Sequence, residues 1–370
     1  MQAAQPRTPP VETVDSALTA RFSWDYREAE DDRVSALYQR AKARGWDAAR
    51  DLPWDTAVDQ EALARQDAAR RSGLAGADLH GTAFAKWSAG NWLKFAVESQ
   101  NWTLSQFLHG EQGALLAAGR LIETSPSLQA KMYAGIQAAD EARHVEAFSR
   151  YLGTKLSGSY PVNTHLRSFM FDLLADSRWD ITFLGMQIMI EGLALAAFGI
   201  LYQTTTEPLL RTLLKLARAD EARHVAFGIT ELQPCYLELT ESEISERQEF
   251  ALEAAVRLRD RLLRQEVWER LGIPFAEARE VLSVSPAHRA FQRSLFVKVL
   301  GNCERLGLLD YRGGWLREKL AVYGFLAARQ AYAKPYLQTG SLSWKVHRRS
   351  SQRTPRPASP PRRKTAGHST

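Results

Sequence analysis

The 370-residue chain has little cysteine. Cys235 and Cys303 lie far apart without a metal-ligand spacing, which argues against both a disulfide framework and a cysteine-bound zinc. A secretory signal is missing too: residues 1–20 hold prolines and acids but no apolar core, which points to the cytoplasm. No stretch shows strand alternation, so the expected fold class is all-α. Acidic residues are absent from Lys345 onward, where eight Lys or Arg fall. The formal charge of +6 is therefore a property of the tail, and the charges of the remaining chain nearly balance. No Phe, Tyr or Trp follows Trp344, so the tail offers nothing for bases to stack on. Its arginines leave contact with nucleic acid or an anionic membrane as a binding alternative to a merely solubilising extension.

The chain has one long hydrophobic run, from Ile181 to Tyr202. Its length would suit a membrane span, but Glu191 stands in its middle with Gln187 one turn before. A carboxylate at the bilayer midplane is expensive, whereas a helix apolar all round also suits the centre of a bundle. The buried helix is the reading adopted.

Around that run the chain divides simply. Residues 1–30 are Pro-rich and expected to be disordered, as is the basic segment 345–370, and one domain is expected over 31–335. Helical patterning begins near Asp32, and a surface helix is expected from Val58 to about Ser72. Four longer helices follow, at about 90–123, from Ser125-Pro126 to 155, at 164–203 with a break at Asp176-Ser177, and from a Thr206 cap to Pro234. Thr240-Glu241-Ser242-Glu243 is a capping box for a helix running to about Leu271, and shorter helices are expected at 275–283, 287–306 and 314–333.

The pentapeptide Asp-Glu-Ala-Arg-His occurs twice, at 140–144 and 220–224. In each, Glu and His stand three apart, on one helical face. Glu111 lies thirty residues before Glu141, and Glu191 thirty before Glu221. The set Glu111, Glu141, His144, Glu191, Glu221 and His224 is thus the ligand pattern of a dimetal carboxylate bundle over about 90–232. Mostly hard oxygen plus two imidazoles suits iron or manganese better than zinc or calcium. Asp140 and Asp220 precede the second glutamate of each half. They are placed to hold His224 and His144 across the bundle, with Arg143 and Arg223 clamping the aspartates from outside. Phe107, Leu108, Leu115, Gln137, Phe148, Gly192, Leu195, Phe198 and Gly199 fall toward the same register, and Phe107, Leu115, Gln137, Phe148, Gly192, Leu195 and Phe198 above all are expected to border an apolar pocket. His80 and His109 are off register. Trp54, Trp87, Trp92 and Trp102 are read as packing rather than electron relay.

On these motifs the chain resembles the ferritin-like di-iron carboxylate superfamily, in the branch of ribonucleotide reductase small subunits, acyl-carrier-protein desaturases and multicomponent monooxygenase hydroxylases. The resemblance implies a homodimer with a di-iron centre that reacts with O2. It also implies that Glu141 and Glu221 bridge the metals while Glu111 and Glu191 are terminal. The sequence departs from each branch. Phe148 stands where radical-bearing reductase subunits carry Tyr, with Tyr151 a turn further on and Tyr336 the last tyrosine. Leu195 and Ala194 stand where monooxygenases and desaturases carry Thr. Ala217 replaces the extra His of N-oxygenases. A Phe at the radical position also occurs in manganese–iron members, so two irons are expected with Mn/Fe as the alternative. No flavin, nicotinamide or iron–sulfur motif is present, so electrons must come from a separate donor. The expected activity is an O2-activating oxidase, monooxygenase- or desaturase-like, on an apolar small molecule. A radical-generating reductase subunit and an iron-storage protein are the alternatives.

Overall fold

The computed structural model describes residues 12–20, 22, 24, 33–69 and 74–326, and among these it is helical, with no strand. In chain order the elements are α1 (Arg33–Ala43), α2 (Gln60–Ala69), a 3-10 turn (Ala83–Lys86), α3 (Ala89–Thr124), α4 (Leu128–Lys155) and α5 (Thr164–Ala175). There follow α6 (Trp179–Phe183), a π-helical segment (Leu184–Ile190), α7 (Glu191–Thr204) and α8 (Pro208–Glu238). The chain continues through α9 (Glu241–Arg261), α10 (Gln265–Arg270), α11 (Phe275–Val284), α12 (Pro286–Arg305) and α13 (Tyr311–Val322).

The centre is a bundle of α3, α4, the π segment with α7, and α8, in which α3 packs along α4 and α7 along α8. Local chemistry sets its corners. Ser88 and Asn91 form a capping box that starts α3. Lys131 Nζ donates to the carbonyls of Ile122 and Glu123 at 2.9 and 2.7 Å, which satisfies the open end of α3 and fixes the turn into α4. α1 packs against α4 and α8, α12 against α7, and α9 against α5 and the π segment. The apolar helix 179–204 is long and apolar enough to span a membrane, but 61% of its most apolar window is buried within the bundle. The two cysteines are free and buried.

Several expected boundaries move. The cap of α8 is Glu207, not Thr206: its carboxylate accepts from the amides of Leu209 and Leu210 and from the hydroxyl of Tyr151. Ser127 rather than Ser125 caps α4, so Pro126 lies before the helix. Pro234 sits inside α8, because burial of Cys235 and Tyr236 holds the last turn against the roughly 3 kcal/mol an interior proline costs. The helix from Thr240 stops at Arg261, where Arg264 adopts a left-handed backbone (φ 53°) and starts the separate α10. Residues 12–20, expected to be disordered, lie on the body: Glu12 pairs with Arg167 at 2.7 Å and Ser16 accepts from Arg120 at 2.6 Å. The expected helix beyond 326 and the basic tail fall outside the described residues.

Candidate metal centre

Glu111 comes from α3, Glu141 and His144 from α4, Glu191 from the first position of α7, and Glu221 and His224 from α8. Each is at most 5% exposed. One donor atom from each of Glu111, Glu141, His144 and Glu221 lies within 4.8 Å of the others, and the same holds for Glu141, Glu191 and His224. Glu141 belongs to both groups. Glu221 faces both imidazoles, at 3.3 Å from His144 Nδ1 and 3.7 Å from His224 Nδ1.

The imidazoles are held from behind, each by the aspartate of the other half. His144 Nε2 donates to Asp220 at 3.1 Å and His224 Nε2 to Asp140 at 3.2 Å. These bonds fix the tautomer and turn Nδ1 of both rings toward the glutamates. Arg143 pairs with Asp140, and Arg223 pairs with Asp220 and reaches Asp140 at 3.4 Å. Burial opposes the charge on Asp220, but His144, Trp46 and Arg223 outweigh it and hold its carboxyl down to about 2.

The inner carboxylates are crowded. Burial, joined by the charges of Glu221 and Glu141 and partly offset by His144, pushes Glu111 up to about 8. Burial and its three carboxylate neighbours likewise raise Glu191 well above its ordinary range, against His224. Burial also works against ionised Glu141, yet the two histidines draw its pKa below the usual carboxylate range. For both histidines burial disfavours the cation, but the surrounding carboxylates win and raise the imidazole pKa. Glu141 Oε2, Glu191 Oε2 and Glu221 Oε2 are buried with no hydrogen-bond partner, and His224 Nδ1 meets Glu141 Oε1 at 3.1 Å. Buried polar atoms left unpaired in this way are costly and uncommon. These carboxylate oxygens come from three of the six candidate ligands, and a pair of divalent cations is the group that would satisfy them together.

The π segment ends at Ile190, immediately before Glu191. A π turn shifts the residues that follow it around the helix axis, and such turns are frequent at functional sites. Gln137 donates to Glu191 Oε1 at 2.7 Å and accepts from Gln187 at 3.2 Å. It therefore steadies a ligand instead of lining the cavity.

The cavity is bounded by Gln106, Phe107, Gly110, Glu111 and Ala114 of α3 and by Met186 and Ile190 of the π segment. Glu191, Leu193, Ala194, Ala197 and Phe198 of α7, Glu221 of α8, and Leu258 and Arg261 of α9 complete it. Of the expected pocket residues, Phe107 and Phe198 line it. Phe148 lies behind them, with ring centroids 5.9 and 5.7 Å away. Leu115, Gly192 and Leu195 do not border it. The cavity takes the positions three after Glu111 and Glu191, Ala114 and Ala194, rather than four after. Gly192 instead meets α12, where an added Cβ would stand 3.3 Å from Val299 and Asn302 side-chain atoms.

Sequence reasoning missed Trp46, which lies outside the bundle segment and carries no motif. Its indole donates to Asp220 Oδ2, the atom that also holds His144, at 2.8 Å. Leu258 and Arg261 were missed as well, because nothing in the repeat points to α9. His109 contacts the Tyr160 carbonyl at 2.9 Å, a structural role, and Tyr151 is engaged by Glu207.

No family model and no curated protein matches the chain. Among solved structures it is similar to R2-like ligand-binding oxidases. A mutant of one with anaerobically reconstituted Mn/Fe cofactor aligns with TM-score 0.50 and 19% identity over 75% of this chain and 94% of that chain. A second mutant prepared in the same way gives 0.49 and 20% over 75% and 95%. An aerobically reconstituted Mn/Fe form gives 0.49 and 17% over 74% and 93%. The architecture of this chain is the ferritin-like helical bundle.

Proposed function

We propose that a chain with this ferritin-like bundle acts as an O2-dependent oxidoreductase with two iron ions, or a manganese–iron pair, oxidising an apolar organic substrate. The observation that carries the reading is the convergence of four buried carboxylates and two imidazoles beside one largely apolar cavity. Four carboxylates neutralise two divalent ions, and the hard donors favour iron or manganese. Glu141 and Glu221 face both halves and would bridge. Glu111 with His144 and Glu191 with His224 would complete the two positions. When bound, the metal pair supplies electrons two at a time to dioxygen. The Mn/Fe cofactor named for the similar oxidases supports a mixed pair as the alternative to two irons.

The chain's own residues do the rest. Asp140 and Asp220 keep both imidazoles turned inward. Gln137 holds one oxygen of Glu191. Phe107, Ile190, Leu193 and Phe198 keep water from the cavity and favour a greasy substrate. Trp46 and Asp220 form a hydrogen-bonded path to His144 from the segment between α1 and α2, a route by which an external donor would supply electrons. The same proposal has the protein act as a homodimer, which the resemblance implies, in the cytoplasm, which the sparse cysteine suggests. The reductase-subunit alternative has no supporting contact: Phe148 is packed against Phe107 and Phe198, and the Tyr151 hydroxyl is bonded to Glu207.

The test is anaerobic loading with Fe(II), with and without Mn(II), then metal counting and mixing with O2. About two metals per chain and rapid O2 uptake with a change in visible absorption are expected. Iron uptake far beyond two per chain would favour storage. No bound metal, or no O2 uptake by the loaded protein, overturns the reading.

A further inference from the structure

α7 brings the most apolar stretch of the chain to the surface, and the charge on either side of it is of one sign. The helix Trp179–Thr204 has a mean hydropathy of 1.8 over its most apolar window, yet only 61% of that window is buried. The π segment and the start of α7 are buried, whereas from Ala194 to Tyr202 every residue except Phe198 is half-buried. Ala194, Ala197 and Phe198 turn toward the cavity. Helical spacing therefore puts Leu195, Ala196, Gly199 and Ile200, an uncharged aliphatic ridge, on the opposite side. α7 packs against α8 and α12. The first half of α8 presents Arg211, Lys215 and Arg218, and α12 presents Arg289, Arg293 and Lys298. Residues 191–204, 208–219 and 286–303 hold a single acid to set against them, the buried ligand Glu191. Arg211 donates to the Tyr202 carbonyl at 2.7 Å, and its guanidinium and that of Arg218 stand 4.2 and 5.2 Å from the Tyr202 ring. Arg289 donates to the Ser283 carbonyl at 3.3 Å. These contacts orient the cations without neutralising them. Val297, beside Lys298, is 62% exposed.

A surface helix normally turns a polar side to water. Cations alone would suit any polyanion, but an aliphatic ridge gains nothing from phosphates in water. Tyr202 is already covered by two guanidinium groups, so its ring is not offered to a base. An anionic lipid surface satisfies both features, because its headgroups meet the cations and the aliphatic side chains enter the acyl boundary. We propose that the ridge of α7, with the cation-bearing faces of α8 and α12, docks the protein on the surface of an anionic lipid membrane. The helix lies on the bilayer and does not cross it, since Glu191 at its first position is held among the other ligands inside the bundle. This interaction is independent of the oxidase reading and would stand without it.

The probes are large unilamellar vesicles of phosphatidylcholine, alone or with about 30% phosphatidylglycerol, co-sedimented with the full-length chain. The wild type should bind the anionic vesicles at least about tenfold more strongly, and added salt should weaken that binding. In Lys215→Glu/Lys298→Glu, with one exposed lysine changed on each flank, binding should fall at least about tenfold. Lys86→Glu/Lys94→Glu makes the same change in net charge elsewhere on the surface and should cost less than about threefold. Leu195→Gln/Val297→Ser should weaken binding about threefold or more while leaving its salt dependence in place, because only apolar contact is removed. Circular dichroism and the melting temperature establish that each variant is folded, and Lys215→Gln/Lys298→Gln replaces the charge reversal if that variant is not. No binding by the wild type, equal binding to both kinds of vesicle, or full binding by either the flank or the apolar variant overturns the proposal. Equal loss in the two lysine pairs also overturns it, since binding would then follow net charge and the basic tail. A DNA duplex of about 20 base pairs is titrated alongside. Binding to it that is tighter than to the anionic vesicles, and lost in the flank variant, would make the surface a nucleic-acid interface instead.

Discussion

The two halves of the metal centre share one pentapeptide and one spacing, yet the bundle treats them differently. In the half made by α3 and α4, Glu111 comes from an unbroken helix and bonds to His144 Nδ1 at 3.2 Å. That His is backed by Asp220, which Trp46 also reaches. In the half made by α7 and α8, Glu191 follows a π segment, bonds to Gln137, and stands 4.0 Å from His224 Nδ1. Its His is backed by Asp140, held by two arginines. A repeat thus fixes which residues meet, while neighbours outside the repeat decide how each half behaves. One half is joined to a buried indole from the segment between α1 and α2, and the other is shaped by helix irregularity and an amide.

The largest effect should come from what the halves share. Glu141 belongs to both donor groups and Glu111 to one. Glu141→Ala should leave less than one metal per chain, and Glu111→Ala about one, with helix content unchanged in both. Metal analysis after gel filtration checks this. Two metals in Glu141→Ala would show that the groups are not joined through that residue.

The next contrast lies outside the repeat. Trp46→Phe removes the hydrogen bond to Asp220 from one half only. Reduction of the oxidised centre by an external reductant should slow by about 10–100-fold, with metal content retained. Stopped-flow reduction reads this, and an unchanged rate would remove Trp46 from the path. Arg143, whose guanidinium lies 5.6 Å from the Trp46 ring, is a control on the same face.

Protons sharpen the comparison on both sides at once. Burial and neighbouring carboxylates push Glu111 up to about 8 and raise Glu191 above its ordinary range, and, against burial, the carboxylates around them raise both histidines, so without metal the protonated forms of all four are favoured. Each must lose its proton to become a ligand. Metal affinity should therefore fall as pH drops from 8 to 6, and loading at pH 7 should release more than about one proton per metal. Loading in weak buffer with a pH indicator measures it. Loading without acidification would mean that the carboxylates are already ionised.

Much of this was legible in the chain. The repeat gave the six inner residues, and the neighbours of each His pointed to the crossed aspartates. Apolar periodicity gave α3 and α4, and Asp176-Ser177 the break before Trp179, while the caps Ser88 and Ser127 were not read. Other features were not legible because they depend on contacts distant in sequence. Trp46 precedes the bundle by more than forty residues, and Arg261 follows His224 by thirty-seven. The π segment has no composition that distinguishes Leu184–Ile190 from an α-helix. The cavity face was misjudged by one position, since Leu195 and Leu115 are as apolar as Ala194 and Ala114. Only packing decides which side is left open.

The smallest expected effect tests how closely the helices meet in the two halves. A Cβ on Gly228 of α8 would stand 2.6 Å from the Cβ of Gln187 in the π segment. A Cβ on Gly113 of α3 would stand 2.4 Å from Cε of Met170, the far end of a flexible chain. Near-identical distances carry different penalties, because a methionine tip can rotate away whereas a Cβ moves only with its backbone. Either Ala gains roughly 1 kcal/mol in helix propensity. Overpacking costs about 1–3 kcal/mol where nothing can yield. Gly113→Ala should be neutral or slightly stabilising, and Gly228→Ala destabilising by about 1–2 kcal/mol in urea unfolding of the metal-free protein. Gly228→Ala should also weaken metal binding, since Gln187 supports Gln137 and, through it, Glu191. Equal stability of the two variants would mean that the π segment shifts as readily as a methionine tip, and the rigidity attributed to the α7–α8 half would be lost.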